Sequence, residues 1–189
     1  DLKIWNTFSP SWAPVSIASF PSEENKSLSF FDKDPFDYAK AFKVFKETEG
    51  NLNVSFKVLT KQNDHGRFEI DLGNTNRLAP VRIAFNANGE VEVDHWKMTS
   101  VLTKYYPDQW NEVKLKINVK DNTFIVSVNG AVSPEWIFNS RHVDHLDRIT
   151  FRTGKFRGIS INPVDPEKDL PLDKEAKFYL DDMIFEIEK

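Results

Sequence analysis

Apolar and polar residues alternate with a period of two through most of this chain of 189 residues, a pattern that fits extended strands with one buried face. Val54, Phe56 and Val58 alternate with Ser55 and Lys57; Phe68, Ile70 and Leu72 with Arg67, Glu69 and Asp71; Val81, Ile83 and Phe85 with Arg82 and Ala84. Val91 and Val93 follow the same rule among Glu90, Glu92 and Asp94. So do Val113, Leu115, Ile117 and Val119 among Glu112, Lys114, Lys116 and Asn118, and then Phe124, Val126 and Val128. Asp121-Asn122 separates the last two runs as a hairpin turn, and Asn86-Ala87-Asn88-Gly89 makes another, with Gly89 free to take positive φ. Further strands are predicted at residues 14–20, 28–32, 39–45, 98–102, 149–152 and 178–187. About a dozen strands on short polar turns exceed a seven-stranded sandwich and predict a larger all-β, two-sheet antiparallel jelly-roll sandwich. Residues 134–146 alone look able to hold a helical turn, and residues 161–174, rich in Pro and acidic groups, read as a surface loop before the last strand.

A chain near this length buries about 70% of its unfolded surface, so a single domain over residues 1–189 suffices. Sixteen Phe and five Trp supply its core, while a net charge of −4 describes a surface without attraction for nucleic acid or an anionic membrane. Zero Cys excludes a disulfide framework and a thiolate zinc site. No apolar run approaches the roughly 20 residues that span a bilayer, so membrane insertion is not expected. The chain opens on Asp1, which predicts a processed or excised module of a larger protein.

Glu69-Ile70-Asp71-Leu72 resembles the start of the catalytic pattern of bacterial β-glucanases. Retaining glycosidases need two carboxyl groups about 5–5.5 Å apart, one to attack and one to protonate the leaving oxygen. The resemblance places the second Glu two or three residues after Asp71, where this chain has Gly73 and Asn74. Neither can donate the proton, so the two-carboxylate mechanism loses half its machinery.

Trp110 to Gly130, with Val-x-Leu-x-Ile-x-Val, a tight turn and Phe-x-Val-x-Val-Asn-Gly, resembles the paired strands of concanavalin A-like and laminin G-like sandwiches. Tyr179-Leu180-Asp181-Asp182-Met183-Ile184-Phe185 resembles their closing strand. Ile4-Trp5-Asn6-Thr7-Phe8-Ser9-Pro10-Ser11-Trp12-Ala13-Pro14 and Phe31-Asp32-Lys33-Asp34-Pro35-Phe36-Asp37-Tyr38-Ala39-Lys40 are similar to the C-terminal module that follows BNR-repeat, sialidase-type propellers in bacterial polysaccharide-degrading proteins. The resemblance implies an accessory module, exported to the periplasm or beyond, with an upstream propeller domain as partner and no catalytic residue of its own.

Candidate binding groups follow from the pattern. Arg67, Glu69 and Asp71 share one strand face, and Arg82, Arg148 and Arg152 can lie on the same sheet surface. Such groups hydrogen-bond sugar hydroxyls beside a flat aromatic platform, for which Trp96 and Trp136 at strand or loop margins are the preferred residues. A charge-balanced polar face or a domain interface explains the same residues without sugar. Trp110 is read as core, and Trp5 and Trp12 as staples for the entry segment.

Asp32, Asp34 and Asp37 would meet Asp181 or Asp182 if the first and last strands pair, offering hard oxygen ligands to Ca²⁺. Asp beside Pro or Tyr also makes turns, and that reading outweighs calcium. His142 and His145 with Asp147 lack a third strong zinc ligand nearby. No Gly-x-Ser-x-Gly elbow or phosphate loop occurs. The expectation is a non-catalytic, cofactor-free, carbohydrate-associated module, set against a structural module docked on a propeller and against a hydrolase or lyase with an unrecognised site.

Overall fold

A computed structural model describes residues 1–33, 38–76, 78–139, 143–154 and 174–187. After a 3-10 turn at Leu2–Ile4 the described elements are strands. In chain order they are β1 (Asn6–Phe8), β2 (Val15–Ser19), β3 (Lys26–Asp32), β4 (Lys40–Thr48), β5 (Asn51–Thr60), β6 (Phe68–Gly73), β7 (Val81–Phe85) and β8 (Glu90–His95). There follow β9 (Met98–Lys104), β10 (Trp110–Asn118), β11 (Thr123–Val128), β12 (Ala131–Val132), β13 (Trp136–Ile137), β14 (Leu146–Thr153) and β15 (Ala176–Ile187).

Two antiparallel sheets result. The seven-stranded sheet runs β1-β4-β14-β6-β7-β8-β9, and the other runs β12-β11-β10-β5-β15-β3-β2, with β13 added on β11. Local hairpins build β2–β3, β6 to β9 and β10 to β12, whereas β14 and β15 return from far along the chain to fill the slots between β4 and β6 and between β5 and β3. Those late insertions make the jelly roll rather than a meander.

The alternating residues place the core. Val54, Phe56 and Val58 of β5, Val113, Leu115 and Ile117 of β10, and Val126 of β11 are all buried against Phe68, Ile70, Leu72, Ile83 and Phe85 of the facing sheet. Aromatic rings bridge the layers: Phe68 stacks on Phe178 at 4.9 Å and meets Phe30 edge-on at 5.0 Å, while Phe151 meets Phe56 at 5.2 Å and 88°. These edge and offset geometries are the favoured ones for ring quadrupoles.

The predicted hairpin of β10 and β11 forms in register from Val113↔Val128 to Asn118↔Thr123, with Asn122 at φ 55° in its loop. Gly89, at φ 72°, closes the turn between β7 and β8 as expected, and the Asn86 side chain accepts the backbone N–H groups of Asn88 and Glu90. The described residues of 134–146 do not make the expected helical turn. Trp136–Ile137 instead adds a short strand to β11, and Leu146 already belongs to β14; the bulky rings of Trp136 and Phe138 pack on Phe124. Trp110, read as core, is half-buried at the sandwich margin against Phe20. Residues 161–173 of the expected loop lie outside the described residues.

Candidate functional site

The register of the seven-stranded sheet sets out its outward face residue by residue. One row reads Asn6, Phe42, Thr150, Asp71, Arg82, Asp94 and Thr99 from β1 to β9. The next reads Phe8, Lys40, Arg152, Glu69, Ala84, Glu92 and Val101. Val44 and Arg148 stand in a third row beside Gly73. Because β-strand side chains alternate between faces, burying Phe68, Ile70 and Leu72 inward sends Glu69 and Asp71 outward.

The structure therefore brings six predicted residues onto one face: Arg67, Glu69, Asp71, Arg82, Arg148 and Arg152. Three of them are nearly inaccessible although they point away from the core, Glu69 and Asp71 at 4% exposed and Arg152 at 5%. Arg67 crosslinks the acidic side, donating from Nε to Glu69 at 2.6 Å and from Nη1 to Glu92 at 2.7 Å. Asn86 donates to the other Glu92 oxygen at 2.7 Å. Arg82 stands between Asp71 at 3.7 Å and Asp94 at 4.0 Å, and Thr99 donates to Asp94 at 2.6 Å.

Asp71 is the strained member. Neither of its carboxylate oxygens accepts a hydrogen bond from a described residue. Burial, followed by the charge of Glu69, pushes its carboxyl up to about 7 against the opposing pull of Arg82 and Arg152. At neutral pH this group exchanges between an acceptor and an O–H donor.

Aromatic side chains that the sequence reading did not single out lie on the same face. The Arg152 guanidinium sits 4.2 Å from the ring centre of Tyr38, and that of Arg148 sits 4.7 Å from Phe42. Phe8 packs on Tyr38 at 5.1 Å, and the Lys40 ammonium lies 5.6 Å from Tyr38 and 5.8 Å from Phe42. The face is thus divided, with an aromatic and cationic half on β1, β4 and β14 and a cross-paired acidic half on β6 to β8.

Trp96 and Trp136 stand elsewhere. Trp96 is exposed in the turn between β8 and β9, at φ 37°. Trp136 is half-buried with one ring face covered by His95, at 4.2 Å and 1°.

The end of β6 explains why Gly and Asn occupy the two positions of interest there. A Cβ on Gly73 would lie 1.8 Å from the Leu78 carbonyl oxygen, and Asn74 is buried with its side chain accepting the Leu78 N–H at 3.2 Å. The loop closes on the backbone where the glucanase pattern would need a carboxylate.

The described aspartates among those considered for calcium are not gathered. Asp32 lies opposite Ala176, whereas Asp181 is five residues further along β15 and accepts from Asn25 at 2.9 Å and Ser27 at 3.0 Å. Five strand residues separate them by about 16 Å, a physical obstacle to shared coordination. Asp182 pairs with Lys57 at 2.8 Å, and Asp34 and Asp37 lie outside the described residues. His142 is likewise outside them, His145 contacts Asp144 at 2.8 Å, and Asp147 accepts from Thr75 at 2.9 Å. Among the described residues no group of three His, Cys, Asp or Glu side chains could hold a metal ion. Among them, too, no helix is long and apolar enough to cross a membrane.

A two-sheet jelly roll with a charged, aromatic-flanked sheet face is a concanavalin A-like sandwich, as the residues of β10, β11 and β15 led one to expect. The chain belongs to the family described as "Sialidase-like, CBM domain", whose profile matches residues 5–174, and is thereby a sialidase-associated carbohydrate-binding-module sandwich. A solved sialidase superimposes with a TM-score of 0.83 at 29% identity, over 98% of this chain and 17% of the sialidase. The alginate lyase AlgAT5 of polysaccharide lyase family 7 superimposes with a TM-score of 0.60 at 10% identity, over 98% of this chain and 95% of the lyase, which is a likeness of fold. The mouse cell adhesion molecule CEACAM15 is 27% identical over 170 residues, 83% of this chain and 69% of that protein.

Proposed function

We propose that this domain is a non-catalytic glycan-binding module of an exported bacterial protein, and that the outward face of the seven-stranded sheet is its binding surface. The observation that carries the reading is the combination on one face of two arginine–aromatic stacks with a row of fixed, nearly buried carboxylates. Tyr38 and Phe42 offer flat apolar surface to the weakly polar face of a sugar ring, while the partly exposed Arg148 and Thr150 beside them offer hydrogen bonds to its hydroxyls. Bond cleavage is disfavoured because Glu69 is neutralised by Arg67 and the second carboxylate position is sterically closed at Gly73. The membership of a sialidase-associated family supports an accessory role beside a catalytic propeller, in the periplasm or outside the cell.

A shallow sheet face buries little of a sugar, and each hydroxyl contact only replaces one made to water, so affinities in the micromolar to millimolar range follow. Titration calorimetry against a panel of acidic and neutral plant and host glycans tests the reading. At least one glycan should bind, and Tyr38→Ala and Phe42→Ala should weaken it while Trp96→Ala leaves it unchanged. Absence of binding across the panel would instead favour the docking alternative. The exposed apolar Met98, Val101, Val132 and Ile137 along β9, β12 and β13 would then be the surface to examine against a propeller.

A further inference from the structure

We propose that the glycan is acidic, with sugar carboxylates held by Arg148 and Arg152 of β14; this deepens the glycan-binding reading and rests on it. The four face arginines are not alike. Arg67 and Arg82 each pair with two carboxylates, whereas neither Arg148 nor Arg152 forms an ion pair with a carboxylate among the described residues. Arg152 is nonetheless 5% exposed, and buried charges are ordinarily paired. Each instead places the flat of its guanidinium on an aromatic ring, Arg152 on Tyr38 and Arg148 on Phe42. Stacking uses the face of the ion and leaves its in-plane N–H fork for a ligand.

Among the described residues those donors are unspent. Arg152 Nη2 and Arg148 Nε are buried without a described hydrogen-bond partner, and Arg152 Nε donates only weakly, to the neighbouring Thr153 carbonyl at 3.3 Å. Buried donors left without acceptors are rare in folded proteins and call for an explanation. A planar carboxylate supplies two acceptors at the spacing of a guanidinium fork. Lys40, next to Arg152 across the β4–β14 pair, adds positive charge at the same end. Arg148 and Arg152 lie on one side of one strand with Thr150 between them, about 13 Å apart by strand rise. That separation lets them engage different acidic sugars of a single chain.

The test is calorimetric titration of the intact domain with an oligogalacturonate and its methyl ester, with sialyllactose and lactose, and with dextran sulfate and dextran. One or both carboxylated glycans should bind at least about tenfold more tightly than their uncharged counterparts. Arg148→Lys and Arg152→Lys, which keep charge but lose the fork, should each erase most of that preference. Arg148 is only half-buried, so its variant decides the matter if the Arg152 variant does not fold. Equal binding of charged and uncharged partners would overturn the inference and leave the glycan-binding reading standing. Binding of dextran sulfate alone would overturn the carboxylate assignment, and a preference unchanged by Arg148→Lys would overturn its placement on β14. Silence from every glycan would remove the inference together with the reading beneath it.

Discussion

Asp71 concentrates the physics of the face in one side chain. The strand that buries Ile70 and Leu72 turns Asp71 outward, yet its neighbours leave it 4% exposed and without a hydrogen bond to either oxygen among the described residues. Its carboxyl titrates near 7 when folded, against an ordinary value of 3.8. A raised carboxyl favours folding while protonated in both states, below about pH 4, and that contribution is lost as pH climbs to about 7. Asp71→Asn mimics the protonated form. The variant should therefore match the native protein at pH 4 and exceed its unfolding stability at pH 8, by on the order of a few kcal/mol. Denaturant unfolding at intervals across that range checks this, and a difference between the two proteins that does not change with pH would contradict it. Glu69, Arg82, Arg152 and Asp94 surround the group, so the variant-minus-native difference is the informative quantity rather than either curve.

At the scale of elements, β6 explains both what the sequence disclosed and what it hid. Its alternation was legible because one face is entirely apolar, and so the sharing of one sheet face by Glu69, Asp71 and Arg82 could be anticipated. The reason for Gly73 was hidden, since it depends on the Leu78 carbonyl folding back onto the strand end. Gly73→Glu should accordingly destabilise the domain by several kcal/mol and generate no glucanase activity, because a backbone atom cannot step aside for a Cβ. Thermal unfolding together with a lichenan turnover assay checks both halves. A variant that keeps the native midpoint would show that the loop yields. The platform aromatics were hidden differently. In β4 both faces carry apolar groups, with Phe42 outward and Ala41 inward, so period alone does not say which side meets solvent. Strands β1, β12 and β13, of two or three residues each, are too short to express a period at all.

At the scale of the whole fold, the two sheets bury between them apolar residues from the long strands other than β9, leaving the seven-stranded sheet free to carry charge outward. Placement of β14 between β4 and β6 is what builds the candidate site. It sets the Arg148, Thr150 and Arg152 row between the aromatics of β4 and the carboxylates of β6, residues far apart in the chain. The measurement that addresses the central claim most directly is amide chemical-shift mapping of the labelled domain during addition of the acidic and neutral oligosaccharide panel. The largest shifts should fall on Phe42, Thr150, Arg152, Glu69 and Asp71, with the oligosaccharide recovered uncleaved. Shifts centred on the eight-stranded sheet or on the turn around Trp96, or an oligosaccharide cut during the titration, would contradict the account.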